Sequence, residues 1–187
     1  MLCGNNLRIV QVPDTASFDD FICGVDEMDD FIHSGLELSV KNSFCRLYNV
    51  IMNDTPVALF ALTFDSLYLD QDDKSDLQLL QGNGISASYS DTFWSKRHYP
   101  ALEISYLAVS ANMRNNGIGS FLIEEIAQMA IQQKIGGCQF LTVEAISRGL
   151  DNYSAVGFYD KQNFIACEYP NPTKATRRMF RPIYLQS

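Results

Sequence analysis

LEISYLAVSANMRNNGIGSF, residues 102–121, joins an apolar run to a helix through a short polar turn. Leu102 to Val109 reads as a strand, and Arg114-Asn115-Asn116-Gly117-Ile118-Gly119-Ser120 opens the helix. The first N–H groups of a helix have no intrahelical partner, and the aligned peptide dipoles make that end positive. Such an end suits a phosphate group. Gly117 and Gly119 carry no Cβ to keep a pyrophosphate from those amides. Beyond them Ile118, Phe121, Leu122, Ile126, Met129 and Ala130 recur at helical spacing, with Glu124, Glu125, Gln128 and Gln132 on the other side. No Gly-Lys-Ser/Thr follows, so this is not a Walker loop. The third glycine and the later acidic residue of the dinucleotide fingerprint are also missing. Two readings stay open from these residues alone: a phosphate site of another kind, or a tight turn.

Arg-x-x-Gly-x-Gly after a strand ending Leu107-Ala108-Val109 resembles the coenzyme A loop of the GCN5-related N-acetyltransferase (GNAT) superfamily. A second landmark of that family follows the next apolar run, Gln139 to Ala145. Asn152 precedes Gly157-Phe-Tyr-Asp-Lys-Gln-Asn-Phe164, which is similar to the family's Asn…Phe-Tyr-x-Lys-x-Gly-Phe segment. Asn163 stands where that pattern has glycine, and Asn tolerates left-handed backbone better than most residues.

The resemblance implies direct transfer from acetyl-CoA as co-substrate, with no metal. By it, Arg114 to Ser120 bind the pyrophosphate, and Leu107, Ala108 and Val109 offer backbone groups to the pantetheine arm. Asn152 holds the cofactor or its loop. Tyr159 is the acid at the departing sulfur, and Glu103, on the same strand as the loop, is the general base for the amine. The plainer alternatives are a packing tyrosine and a glutamate that faces solvent or pairs with an arginine.

The chain has 187 residues, 47% of them hydrophobic, which predicts one domain over 1–187. Strands interleave with helical patterns, which indicates an α/β or α+β sheet protein. The resemblance sharpens this to a mixed, mostly antiparallel sheet splayed between its fourth and fifth strands and flanked by helices. The spacing predicts strands at Leu7–Val12, Phe44–Met52, Pro56–Phe64 and Leu102–Val109, then from Cys138, at Phe164–Glu168 and at Arg177–Tyr184. Helical patterns cover Asp14–Phe21, Val25–Lys41, Ile118 to about Lys134, and Asn152–Gln162, with Phe18, Phe21, Ile22, Met28, Phe31 and Ile32 as inner-face candidates. Between the strands, about 65–99 is an insertion with a short helix at Asp73–Gln81. It reads either as a wall of the acceptor site or as a surface decoration, and Tyr89, Phe93, Trp94 and His98 favour packing on the body.

No apolar run is long enough to cross a bilayer, and no basic-then-apolar leader is visible. Five scattered cysteines without a Cys-x-x-Cys, and only His33 and His98, give no metal cluster. These features suggest a reducing, cytoplasmic setting, and the apolar content allows a homodimer. The net charge of −8 disfavours nucleic acid. Between Arg8 and Lys41 lie eight acidic residues and no Lys or Arg, which suits a small-molecule or peptide amine that is cationic, or simply a solvated helical face.

One finer resemblance points elsewhere. Phe21-Ile-Cys-Gly…Met-Asp-Asp-Phe-Ile32 and Tyr99-Pro100-Ala101 are similar to segments of acetyltransferase toxins from toxin–antitoxin pairs. Those enzymes acetylate aminoacyl-tRNA and carry an apolar residue at the place of Glu103. Lys174, Arg177, Arg178 and Arg181 form the one compact basic stretch that could meet an RNA, bind a 3′-phosphate or solvate a terminal strand. A third reading is a coenzyme A-binding sensor without turnover.

Overall fold

A computed structural model describes residues 7–81, 85–149, 153–167 and 175–184. Its strands are β1 (Arg8–Val12), β2 (Arg46–Met52), β3 (Thr55–Tyr68), β4 (His98–Val109), β5 (Phe140–Ile146), β6 (Ile165–Ala166) and β7 (Thr176–Pro182). Its α-helices are α1 (Asp26–Ser34), α2 (Leu36–Lys41), α3 (Gln71–Gln81), α4 (Ala87–Ser95), α5 (Ile118–Gln132) and α6 (Val156–Lys161). The sheet runs β1-β2-β3-β4-β5-β7-β6. The β4–β5 pair is parallel, and β1–β2, β2–β3, β5–β7 and β6–β7 are antiparallel. The β4–β5 ladder holds only Ala101↔Phe140, Leu102↔Leu141 and Glu103↔Thr142, although β4 continues to Val109. The pairing of the fourth and fifth strands ends there.

The chain divides into two compact units. The first comprises Met1–Thr63, Ile104–Ile126 and Arg148–Tyr153. Its hairpin turns on Asn53 and Asp54, both left-handed at φ 49° and 60°. Short polar side chains tolerate that conformation, and two such residues match the twist of the flanking strands. Phe18, Phe21, Ile32, Leu36, Leu47, Leu59 and Ala108 form the core of this unit. Burying such side chains stabilises by about 1.5–3 kcal/mol each.

Three expectations are corrected here. Asp14–Phe21 holds only a single 3-10 turn at Ala16–Phe18, because its bonds close at i to i+3, Phe18 N–H on Thr15 C=O and Phe21 N–H on Phe18 C=O, which buries both rings. The Val25–Lys41 pattern breaks at Gly35. A Cβ there would stand 2.7 Å from the Phe31 ring, which stacks on Tyr106 at 4.3 Å. Ile22 is 59% exposed. It lies between buried Phe21 and Cys23, so the alternation turns its side chain outward, while its carbonyl accepts the Ala111 N–H.

The second unit comprises Phe64–Glu103, Ala127–Ser147 and Ser154–Ser187. Leu67, Leu69, Leu77, Phe93, Tyr99, Ala101, Phe140 and Phe180 make its core. The insertion is shorter than expected, since β3 runs on to Tyr68 and β4 starts at His98, and it holds the unforeseen helix α4. It packs on the body, as its aromatic residues suggest. Phe93 is buried against Tyr99 (4.8 Å) and Tyr184 (5.4 Å), and the Tyr99 hydroxyl donates toward the Phe93 and Lys96 carbonyls. The Lys74 ammonium donates to the Trp94 and Lys96 carbonyls, tying α3 to the end of α4. Leu69 N–H reaches Arg97 C=O at 3.0 Å, closing the excursion at its base.

Helix α6 starts at Val156 rather than near Asn152. The Ala155 N–H and the Ser154 hydroxyl both reach back to the Ile146 carbonyl, so the preceding backbone follows the end of β5 instead of coiling. Its other end matches expectation. Asn163 has φ 62°, and the Phe164 N–H closes on the Tyr159 carbonyl.

Candidate active site

The loop after β4 is built as its sequence dictates. Ala111–Met113 form a 3-10 turn, Asn115 and Gly117 take left-handed backbone (φ 61° and 82°), and α5 begins at Ile118. The Asn116 amide donates to the Met113 and Arg114 carbonyls and fixes the turn. No atom lies within 4 Å of where a Cβ on Gly117 would stand. The positive φ is what favours glycine there, and a Cβ would meet only open space. The Ile118 side chain is buried and anchors the first turn.

In the same unit Cys23 lies within electrostatic reach of Asp29, Arg114 and Tyr153, and Tyr153 within reach of Arg114. The Asp29 carboxylate accepts the Cys23 N–H at 2.7 Å and the Gly24 N–H at 2.9 Å. Burial works to raise its pKa, but those bonds hold it below the ordinary carboxylate range. Burial, aided by Asp29, pushes the Cys23 thiol up to about 11, and Tyr153 is raised chiefly by burial. Leu107, Ala108 and Val109 occupy the end of β4, beyond the three-pair ladder. Asn152 lies outside the described residues.

Glu103 and Tyr159 belong to the second unit. Tyr159 is 6% exposed on α6, packed edge-on to Phe158 (5.0 Å) and Phe164 (5.2 Å). Glu103 ends the β4–β5 ladder and joins a polar cluster that the sequence reading missed. The Arg178 guanidinium bonds Asp65 through Nη2. Its Nη1 stands 3.9 Å from Glu103 and 3.8 Å from Glu144. Thr142 donates its hydroxyl to Asp65, and Thr176 donates to Glu144 at 2.8 Å. Glu103, Thr142 and Arg178 sit two residues, and Glu144 and Thr176 four, along their strands from Ala101, Phe140 and Phe180 of the aromatic core, and so share its face of the sheet. The signal was present as polar residues at two-residue spacing, Thr142-x-Glu144 in the otherwise apolar β5 and Thr176-x-Arg178 in β7.

The C-terminal basic stretch is not an open cationic surface. Arg181 is 5% exposed, Arg177 donates to the Cys167 carbonyl, Arg178 is shared by three carboxylates, and Lys174 lies outside the described residues. Burial first, then Asp73, pushes the Cys167 thiol up to about 12, which suits an inert packing residue. Among the described residues no group of three His, Cys, Asp or Glu could hold a metal ion, and no helix is long and apolar enough to cross a membrane.

A glycine turn between β4 and α5, a three-pair parallel β4–β5 ladder and a tyrosine-bearing helix after β5 are the landmarks of this chain. The sequence matches the acetyltransferase (GNAT) family over residues 42–164, and the chain belongs to that family, with acetyl-CoA as co-substrate. No curated protein matches the chain significantly by sequence. Among solved structures, a Tyr-to-Phe mutant of KacT superposes with a TM-score of 0.67 at 19% identity, covering 95% of each chain. AtaTR bound with acetyl-CoA gives 0.65 at 20% identity, covering 96% of this chain and 95% of the other. AtaT complexed with acetyl-methionyl-tRNAfMet gives 0.64 at 17%, covering 95% of each. At these identities the likeness is one of fold.

Proposed function

We propose that this enzyme transfers acetyl from acetyl-CoA directly to the primary amine of a cationic small molecule or peptide. Arg114 to Ser120 bind the pyrophosphate, with Asn152 supporting the cofactor and Leu107, Ala108 and Val109 pairing with the pantetheine amides like an added strand. Glu103 takes a proton from the ammonium, directly or through water, because only the neutral amine has a lone pair. The new C–N bond forms as the C–S bond breaks, and Tyr159 gives its proton to the departing thiolate. Holding amine and thioester in line supplies much of the rate.

The observation that carries the choice of acceptor is the Asp65–Glu103–Glu144–Arg178 cluster. Three carboxylates share one guanidinium, and the arginines that might have met an RNA are engaged internally. Such a field favours a cation and opposes a phosphate backbone.

A second reading, acetylation of aminoacyl-tRNA, is supported by the fold likeness to AtaT and KacT and by the Phe21–Ile32 segment. Thiol release from acetyl-CoA against a panel of diamines, polyamines, lysine peptides and aminoacyl-tRNA tests the two. Turnover with small cations, lost in Tyr159→Phe, is expected. Turnover with aminoacyl-tRNA alone replaces the first reading by the second.

A further inference from the structure

Asp65 belongs to no motif, and its partners lie 77 and 113 residues away in sequence. Its side chain is only 17% exposed at the core end of the polar cluster, where it accepts from the Thr142 hydroxyl and the Arg178 guanidinium. A guanidinium forms its strongest pair when two parallel N–H groups meet one carboxylate. Arg178 does not do this with Glu103 or Glu144. With Nη2 committed to Asp65, its Nη1 is left between them at 3.9 and 3.8 Å, beyond hydrogen-bonding range of both. The arginine is near enough to feel both charges and is held from closing on either. Arg178 pairs in register with Glu144 across β5–β7, and Glu103 with Thr142 across β4–β5. Asp65, reaching in from β3, draws the guanidinium away from both glutamates.

We propose that Asp65 is a positioning residue. It holds Arg178 off Glu103, so that the base is not locked in a bidentate ion pair when the acceptor amine arrives. This rests on Glu103 acting as the base. Asp65→Asn keeps the shape and the contact with Thr142 but weakens the hold on Arg178, whose guanidinium then closes on Glu103.

The test compares thiol release, with a turned-over amine, for wild type, Glu103→Gln, Asp65→Asn, Arg178→Gln and the double variant Asp65→Asn/Arg178→Gln. Asp65→Asn should lower kcat roughly tenfold or more with the KM for acetyl-CoA within about twofold. The double variant should recover to the level of Arg178→Gln alone, because the misplaced cation is gone. A role in folding alone predicts the reverse, a double variant at least as impaired as Asp65→Asn. That result, or an unchanged kcat in Asp65→Asn, overturns the proposal while leaving Glu103 as base. An active Glu103→Gln instead overturns the base assignment on which it rests. Should Asp65→Asn not fold, Thr142→Val loosens Asp65 without changing charge, and it should lower kcat by a smaller factor with the same KM pattern. No loss of kcat there refutes the proposal.

Discussion

Asp29→Asn isolates what one carboxylate contributes at the entry to α1. Asp29 lies in the first turn of that helix and accepts two backbone N–H groups, from Cys23 at 2.7 Å and Gly24 at 2.9 Å. Gly24 is left-handed at φ 75°, so these bonds hold a turn that would otherwise open. Hydrogen bonds to charged groups contribute about 1.5–3 kcal/mol when sheltered. The site is mostly open to solvent, which screens the charge, so about 1–2 kcal/mol for the pair is the expected loss. For a chain of this length that is roughly 2–8 °C in melting temperature. The carboxyl is held below its ordinary value, so the unfolded chain takes up this proton at higher pH than the folded one. The stabilisation is therefore complete above the ordinary value of 3.8 and disappears as pH falls through the lower folded value. Urea unfolding of both proteins at pH 7 and at about pH 2.5 reads this out. A gap at pH 7 that persists undiminished at the acid pH, or no gap at pH 7, refutes the reasoning.

Tyr159→Phe retains the ring packed between Phe158 and Phe164, so the melting temperature should stay within about 2 °C while thiol release falls about a hundredfold or more. Activity within threefold of wild type removes Tyr159 from the acid role. Phe93→Ala deletes the ring that joins α4 to Tyr99 and Tyr184 and should cost about 3–5 kcal/mol in urea unfolding, and a loss below 1 kcal/mol means that the ring does not hold the insertion. With thiols raised to about 11 and 12, Cys23 and Cys167 are thiolate in about one molecule in a thousand and one in ten thousand at pH 8. Mass-spectrometric labelling with a disulfide reagent should find both slow in the native protein and fast in urea. Rapid native labelling of either contradicts the burial.

The turn between β4 and α5 was legible because its determinants are local. Turn residues, glycine at a left-handed position and an amphipathic helix all fall within twenty residues of one another. The hairpin at Asn53-Asp54 and the left-handed Asn163 were legible for the same reason. The polar cluster was not, since its members come from β3, β4, β5 and β7, and Asp65 and Arg178 meet across 113 residues. Read along the chain, Arg177, Arg178 and Arg181 form a basic patch; only strand pairing shows that they are engaged internally. Helix α4 was missed because Ser86 to Asp91 is rich in residues that favour turns, and one buried residue, Phe93, carries its packing.

The hydrogen bond from Leu69 to Arg97 at the base of the insertion has a consequence for engineering and for lineage. Because the excursion leaves and re-enters at one point, a two-residue turn could join β3 to β4 directly, and the register of the sheet would not change. What would change is the aromatic layer beneath, where Ala101, Phe140 and Phe180 would lose the cover of Leu77 and Phe93. A shortened chain would need polar replacements on that layer to stay soluble. A longer or reshaped excursion that keeps apolar side chains over that layer needs none, so the rest of the segment can diversify while the strands stay fixed.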